Sequence, residues 1–240
     1  MSEGAFADAI RAYWKVRAAQ AAKQVASGSV DAGLRGAVTG GGHLDSIAML
    51  LEDLFVSLDF PASMVRRKTS IELPGYYRPA KKWDLVVANS SCLVAAIEFK
   101  SQSGPSFGNN FNNRSEEAIG NAVDIWRAYQ EGTFGEVRPW LGYFFLLEEA
   151  PKSTAQVRVP RTLFPVEEVF RDTSYKDRYR ILCQRLVRER LYDAACFVTA
   201  SEDPAVPIDQ PEQELSFANF IAQITGRAAY IKTLVERNQP

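Results

Sequence analysis

Histidine is almost missing from this chain: His43 stands alone among 240 residues. A single imidazole cannot supply the ligand clusters of zinc hydrolases or the histidines of histidine-dependent nucleases, so those mechanisms fall away. A histidine-based serine triad would have to use His43, and no Gly-x-Ser-x-Gly elbow accompanies it. Cysteine is nearly as scarce. Cys92, Cys183 and Cys196 are odd in number, far apart and set in apolar or helical surroundings, which predicts buried thiols rather than disulfides or a zinc knuckle. Long apolar runs are absent too. The longest candidate, Trp140 to Leu147, falls well short of the roughly 18 residues a membrane helix needs, so no membrane partner is expected. Met1-Ser2-Glu3-Gly4 has neither a basic region nor an apolar stretch; no secretory signal is expected, and the expected compartment is the cytoplasm. Gly40-Gly41-Gly42 lacks the Lys-Ser/Thr of a phosphate loop and reads as a flexible connection.

What is present is ample core. With 46% hydrophobic residues, the length fits one large soluble α/β domain over residues 1–240 better than two small ones. Net charge is −1, which does not by itself suggest a nucleic-acid binder, but the charge is unevenly spread. Arg66, Arg67, Lys68, Arg78, Lys81 and Lys82 face only Glu72 in their stretch, residues 158–190 are also net basic, and 202–214 holds acids and no base. These stretches are either ordinary solvated faces or a basic cleft set in an acidic exterior, a distribution that steers phosphates without general stickiness.

Apolar spacing predicts helices over 5–26 and 44–60, and a strand from Met64 to Leu73 before the Pro74-Gly75 turn. A polar loop is expected over 104–113. The next helix, 114–130, would open on an Asn113-x-x-Glu116 capping box and turn Ile119, Val123 and Trp126 inward. Trp140–Leu147 reads as a central strand covered on both faces, and 175–191 as an arginine-rich helix. Residues 194–199 form a further strand, 201–213 a connector with three prolines, and 214–237 the last helix. Glu52, at the edge of the second helix's stripe, is either a solvated acid or an acid that reaches a site on the hairpin, and it stands among the catalytic candidates.

The stretch from Asp84 to Lys100 carries the chemistry. Leu85-Val86-Val87-Ala88 and Leu93 to Phe99 are β-prone runs joined by Asn89-Ser90-Ser91, with Asp84 before the first run and Glu98 and Lys100 at the end of the second. A three-residue loop sets Asp84 on the face of Glu98 and Lys100; a two-residue Ser90-Ser91 loop sets it on the other face unless a bulge intervenes. The shared face is expected. Two carboxylates beside apolar walls attract a hard cation such as Mg2+, and a lysine two residues on projects from the same face, placed to orient water or stabilise phosphoryl charge.

Asp84, Glu98 and Lys100 resemble the PD-(D/E)xK nuclease signature, with Trp83 in the place of its proline. Residues 96–102 (Ala-Ile-Glu-Phe-Lys-Ser-Gln) and 106–120 resemble the XhoI family of type II restriction endonucleases. That resemblance implies a restriction-endonuclease-like core over about 44–200, a mixed central sheet flanked by helices, with the terminal helices 5–26 and 214–237 as candidates for dimer contacts. It implies a homodimeric, Mg2+-dependent enzyme that cuts both strands of a palindromic double-stranded DNA, and the family hexamer 5′-CTCGAG-3′, cut after the first C to leave 5′-phosphates. Asp84, Glu98 and Phe99 are then the metal candidates. Arg66, Arg67, Lys68, Lys81 and Lys82 are candidates for phosphate, and Gln102, Asn109, Asn110, Asn112, Asn113 and Arg114 for DNA by base edges or by phosphate. The alternative for the Asn loop is a capped, self-hydrogen-bonded turn. For the protein the alternatives are another nuclease of this fold, repair or structure-selective, and a catalytically silent DNA-binding protein.

Overall fold

The computed structural model describes residues 2–27, 44–104 and 106–237; the stretch 28–43, with Gly40–Gly42 and His43, lies outside them. In chain order the elements are α1 (Glu3–Ser27), α2 (Asp45–Ser57), β1 (Val65–Arg66), β2 (Glu72–Leu73), β3 (Lys81–Lys82), β4 (Leu85–Ala88), β5 (Leu93–Gln102) and α3 (Phe107–Gln130). There follow β6 (Trp140–Glu148), α4 (Pro151–Thr154), α5 (Tyr175–Arg188), β7 (Ala194–Ala200) and α6 (Phe217–Arg237). The sheet order is β1-β4-β5-β6-β7, antiparallel from β1 to β5 and parallel from β5 to β7; β2 and β3 form a separate antiparallel ribbon. This mixed sheet between helices is the expected class.

Strand alternation sorts the core into two layers. Leu85, Val87, Ala95, Ile97, Phe99, Phe144, Leu146, Cys196 and Val198 meet α1, α2 and α6 on one side. Val86, Ala96, Tyr143, Phe145 and Phe197 meet α3 and α5 on the other. β6 is apolar and buried on both faces because it lies between two parallel neighbours under both layers. The terminal helices close the first layer: Phe6 of α1 stacks on Phe217 of α6 at 3.9 Å, and Ile10, Tyr13, Phe220 and Ile224 are buried. Their apolar faces are thus used inside the chain.

Three expectations change. Met64 to Leu73 is not one strand: β1 pairs with β4 and β2 with β3, and the chain between them turns through Ser70 at φ 54°. The Asn-rich stretch is not a loop: α3 begins at Phe107, with Ser106 as its N-cap, and Asn113 lies within it. Asparagine disfavours helix, but Phe107 stacks on Tyr175 at 6.0 Å and Phe111 meets Tyr179 edge-on at 5.1 Å, so docking on α5 overrides the local preference. Further along α3 it is Ala118, Ala122 and Ile125 that are buried, while Ile119 and Val123 stand 44% and 40% exposed. The small alanines let the helix lie close on its neighbours, which rotates the bulkier pair outward.

Candidate active site

The hairpin between β4 and β5 sets the geometry. Asn89 closes it: its N–H donates to the Cys92 carbonyl (3.1 Å), and its side-chain oxygen accepts from the N–H groups of Ser91 (3.0 Å) and Cys92 (2.8 Å). Asn89 and Cys92 therefore face each other across Ser90-Ser91, the turn that by itself would place Asp84 opposite Ile97. A bulge prevents this. Ala88 pairs with Leu93 but Val87 with Ala95, leaving Val94 as the extra residue, and beyond it Val86 pairs with Ala96 and Leu85 with Ile97. One step further, Asp84 stands against Glu98, its N–H donating to the Ile97 carbonyl at 3.3 Å. Asp84, Glu98 and Lys100 share the face that packs toward α3 and α5.

The Asp84 carboxylate accepts the Phe99 N–H at Oδ2 (2.7 Å) and has no ion pair among the described residues. Burial, reinforced by the Glu98 charge, pushes its pKa up to about 6. Glu98 is 2% exposed and is held from two sides: Lys100 Nζ pairs with Oε1 and Lys81 Nζ with Oε2. Burial opposes its ionisation, but the two ammonium groups outweigh burial and hold its pKa below the ordinary value. Burial also opposes the charge on both lysines. At Lys100 the Glu98 partner prevails and the pKa rises, whereas at Lys81 burial prevails and the pKa falls. Arg114 of α3 adds positive charge near Lys100; its side chain is 13% exposed, one Nη pairs with Glu117 (2.6 Å), and its buried Nε has no hydrogen-bond partner among the described residues.

Among the described residues no group of three or more His, Cys, Asp or Glu gathers at one point. Two carboxylates are what a magnesium ion, which keeps several waters, takes from a protein. The donor set fits: hard oxygens on one face, with an Asp84 carboxylate that has no ion pair among the described residues. Asp84 and Glu98 could hold such an ion. Phe99 enters the site through the N–H it donates to Asp84.

The other sequence candidates divide sharply. Glu52 is on α2, in the opposite layer, where Arg67 Nε pairs with it at 2.8 Å. Arg67 also meets Asp45 (3.2 Å) and is 16% exposed, and Arg66 donates to the Ala88 carbonyl (2.7 Å), bracing the sheet edge. Each thus has a partner within the protein, while the remaining guanidinium donors of Arg66, which is half-buried, have none among the described residues. Gln102 is 3% exposed, with Nε2 donating to the Ser103 carbonyl (2.9 Å). Lys81 moves from surface phosphate binder to the centre of the site. Lys68, 67% exposed, and Lys82 remain outward. Asn109, Asn112 and Asn113 are exposed along one side of the first turns of α3, and Asn110 is half-buried.

Sequence reasoning missed two features: the role of Lys81, and a clamp formed by Asp124. Asp124 Oδ1 accepts from the N–H groups of Tyr76 and Tyr77 (2.8 Å each), Oδ2 accepts from Arg78 Nε (2.7 Å), and Arg78 Nη2 donates to Asn121 Oδ1 (2.7 Å). The available signal was an acid and an amide three residues apart on the buried side of α3, which need partners there.

Residues 23–209 match the family described as Restriction endonuclease XhoI. The chain is 39% identical over 213 residues to the type II restriction enzyme BstVI of Geobacillus stearothermophilus, covering 85% of this chain and 95% of that protein. It is 43% identical to the type II restriction enzyme XhoI of Xanthomonas vasicola over 65% of this chain and 64% of that protein. With the type II restriction enzyme AbrI of Azospirillum brasilense the identity is 45% over 61% and 66%. No solved structure matches the chain.

Proposed function

Because this chain belongs to the XhoI restriction endonuclease family, we propose that it is a type II restriction endonuclease. It hydrolyses phosphodiester bonds in both strands of a palindromic double-stranded DNA site, as a homodimer, in the cytoplasm. The family likeness favours 5′-CTCGAG-3′, cut after the first C with 5′-phosphate ends. The observation that carries the reading is the bulged register that sets Asp84 against Glu98 and Lys100, with Phe99 N–H fixing the Asp84 carboxylate at 2.7 Å.

A bound Mg2+ supplies Lewis-acid polarisation of the phosphoryl oxygens and a more acidic water. Asp84 and Glu98 are the residues that would hold it. Lys100, aimed by its ion pair with Glu98, holds positive charge where the phosphoryl oxygens accumulate negative charge. Arg114 adds charge from the start of α3, and its Nε, without a hydrogen-bond partner among the described residues, is a donor available to a phosphate. The exposed Asn109, Asn112 and Asn113 lie along one helical side, so α3 offers them to the major groove as a helix and not as a loop; Asn pairs bidentately with adenine there.

Plasmid incubated with the protein and Mg2+ should yield discrete fragments with cuts at CTCGAG. Glu98→Ala and Lys100→Ala should abolish cutting while both proteins still retain DNA in a gel shift with Ca2+. A smear, or cleavage only at junctions, rejects restriction in favour of another nuclease of this fold. Binding without cutting by the unaltered protein favours a silent DNA-binding protein.

A further inference from the structure

Glu98 has two carboxylate oxygens, and both are occupied: Oε1 by Lys100 and Oε2 by Lys81. A divalent cation held by Glu98 must take or share one of them. The two lysines are anchored differently. Lys100 lies two residues from Glu98 on β5, inside the five-stranded sheet, whereas Lys81 arrives from the separate β2–β3 ribbon. Lys81 also has somewhere else to go. Its Nζ already lies 4.2 Å from the centre of the Trp83 ring and 3.0 Å from the Lys82 carbonyl, so it can leave Glu98 without unpairing a strand of the main sheet.

The segment that delivers it is pinned. Asp124 and Asn121 hold Tyr76, Tyr77 and Arg78 on α3, and a Cβ at Gly75 would come 2.5 Å from Asp124 Oδ2, so only glycine lets the chain approach this closely. Three residues later Lys81 reaches Glu98. This tether keeps the ammonium group beside the carboxylate even where that ammonium is buried, a costly arrangement unless the pairing has a use.

We propose that Lys81 is a positioning residue that occupies Oε2 of Glu98 in the metal-free enzyme and yields that oxygen to the divalent cation. The inference rests on the reading that Asp84 and Glu98 hold the metal. Lys81 thereby sets the cation affinity: it neutralises Glu98 while the site is empty, and the entering cation must displace it.

The test measures Mn2+ binding by calorimetry on the whole protein without DNA, so that turnover plays no part, for wild type, Lys81→Met, Lys81→Arg, Lys81→Gln and Glu98→Gln. Removing a positive charge in contact with a metal ligand should tighten Mn2+ binding about tenfold or more in Lys81→Met and Lys81→Gln. Lys81→Arg, which keeps the charge, should stay near wild type, and Glu98→Gln should lose the binding. In chelator Lys81→Met should also melt below wild type, and Mn2+ should close that gap. A lysine with only a packing role would leave Mn2+ affinity unchanged or weakened on removal; that result, with Glu98→Gln still losing the ion, overturns the inference and leaves the metal site standing. If Glu98→Gln binds Mn2+ like wild type, the metal reading fails and the inference with it. Should Lys81→Met not fold, Lys81→Gln against Lys81→Arg gives the same comparison.

Discussion

Replacing Asp84 by Asn should make the metal-free protein more stable, and the size of the gain can be worked out from the site. Burial and the facing Glu98 charge raise the Asp84 pKa to about 6 from an ordinary 3.8. Between those values the folded chain binds a proton that the unfolded chain releases. Stability is therefore full below the lower value, falls as pH rises through the window, and carries the whole penalty above the upper one. Two pH units correspond to about 3 kcal/mol, and relaxation at a site in partial contact with solvent brings the expectation to about 2 kcal/mol. Asn keeps an oxygen for the Phe99 N–H and removes the charge. Urea denaturation in EDTA at pH 8 should then find Asp84→Asn more stable than wild type by about 2 kcal/mol, or roughly 4–8 °C in Tm for a chain this long. The advantage should shrink as pH falls through the window and vanish below the ordinary 3.8, where Asp84 is protonated in both the folded and the unfolded chain. Excess Mg2+ should stabilise wild type by mass action and not the variant. A wild type as stable as the variant at pH 8 in EDTA, or a difference that does not change with pH, refutes the electrostatic account.

Gly135 has φ 84° and a Cβ there would run into the Ser91 carbonyl, whereas Gly132, at φ 83°, has open space around it. Gly135→Ala should therefore cost well above the roughly 1 kcal/mol of left-handed strain expected of Gly132→Ala, as read by urea denaturation. Glu52→Gln breaks a part-buried pair with Arg67 but keeps an oxygen for its Nε; it should lower stability by about 1 kcal/mol and leave Mn2+ affinity within about twofold of wild type, and a lost ion would place Glu52 in the metal site after all. Asn112→Ala and Asn113→Ala should weaken binding to the cognate duplex, measured in Ca2+, by about 1–3 kcal/mol with little effect on random duplex, because base contacts carry sequence information and phosphate contacts do not.

The face of Asp84 was legible in the sequence because strand parity is a strict rule. Either a three-residue loop or a two-residue loop with a bulge gives the same side, and the chain uses the second, through Asn89 and the extra residue Val94. The layers were legible for the same reason: alternating apolar residues in β4 to β7 leave few arrangements. The start of α3 was not, since four asparagines read as a turn, and the contacts that override them come from Tyr175 and Tyr179, more than 60 residues away in sequence. The face of α3 was misjudged by one position because bulk was taken for burial, when Ala118 and Ala122 do the packing.

Charge was the least legible property, and it decides how the protein can meet DNA. Six bases in residues 66–82 look alike in sequence, yet Arg66 braces a carbonyl, Arg67 serves Asp45 and Glu52, Arg78 serves Asp124, and Lys81 serves Glu98. Lys68 and Lys82 are turned outward, although Lys68 still lies 3.4 Å from an Asp45 oxygen. In contrast Arg158 and Arg161, in a stretch whose net charge is milder, are exposed and have no ion pair among the described residues. Each phosphate contact adds about one counterion to the salt dependence of binding, so a count of bases overstates that slope wherever acids already hold them. The cation that matters most at this site is one largely withdrawn from solvent: Lys81, 11% exposed, whose charge is spent on a carboxylate until something stronger claims it.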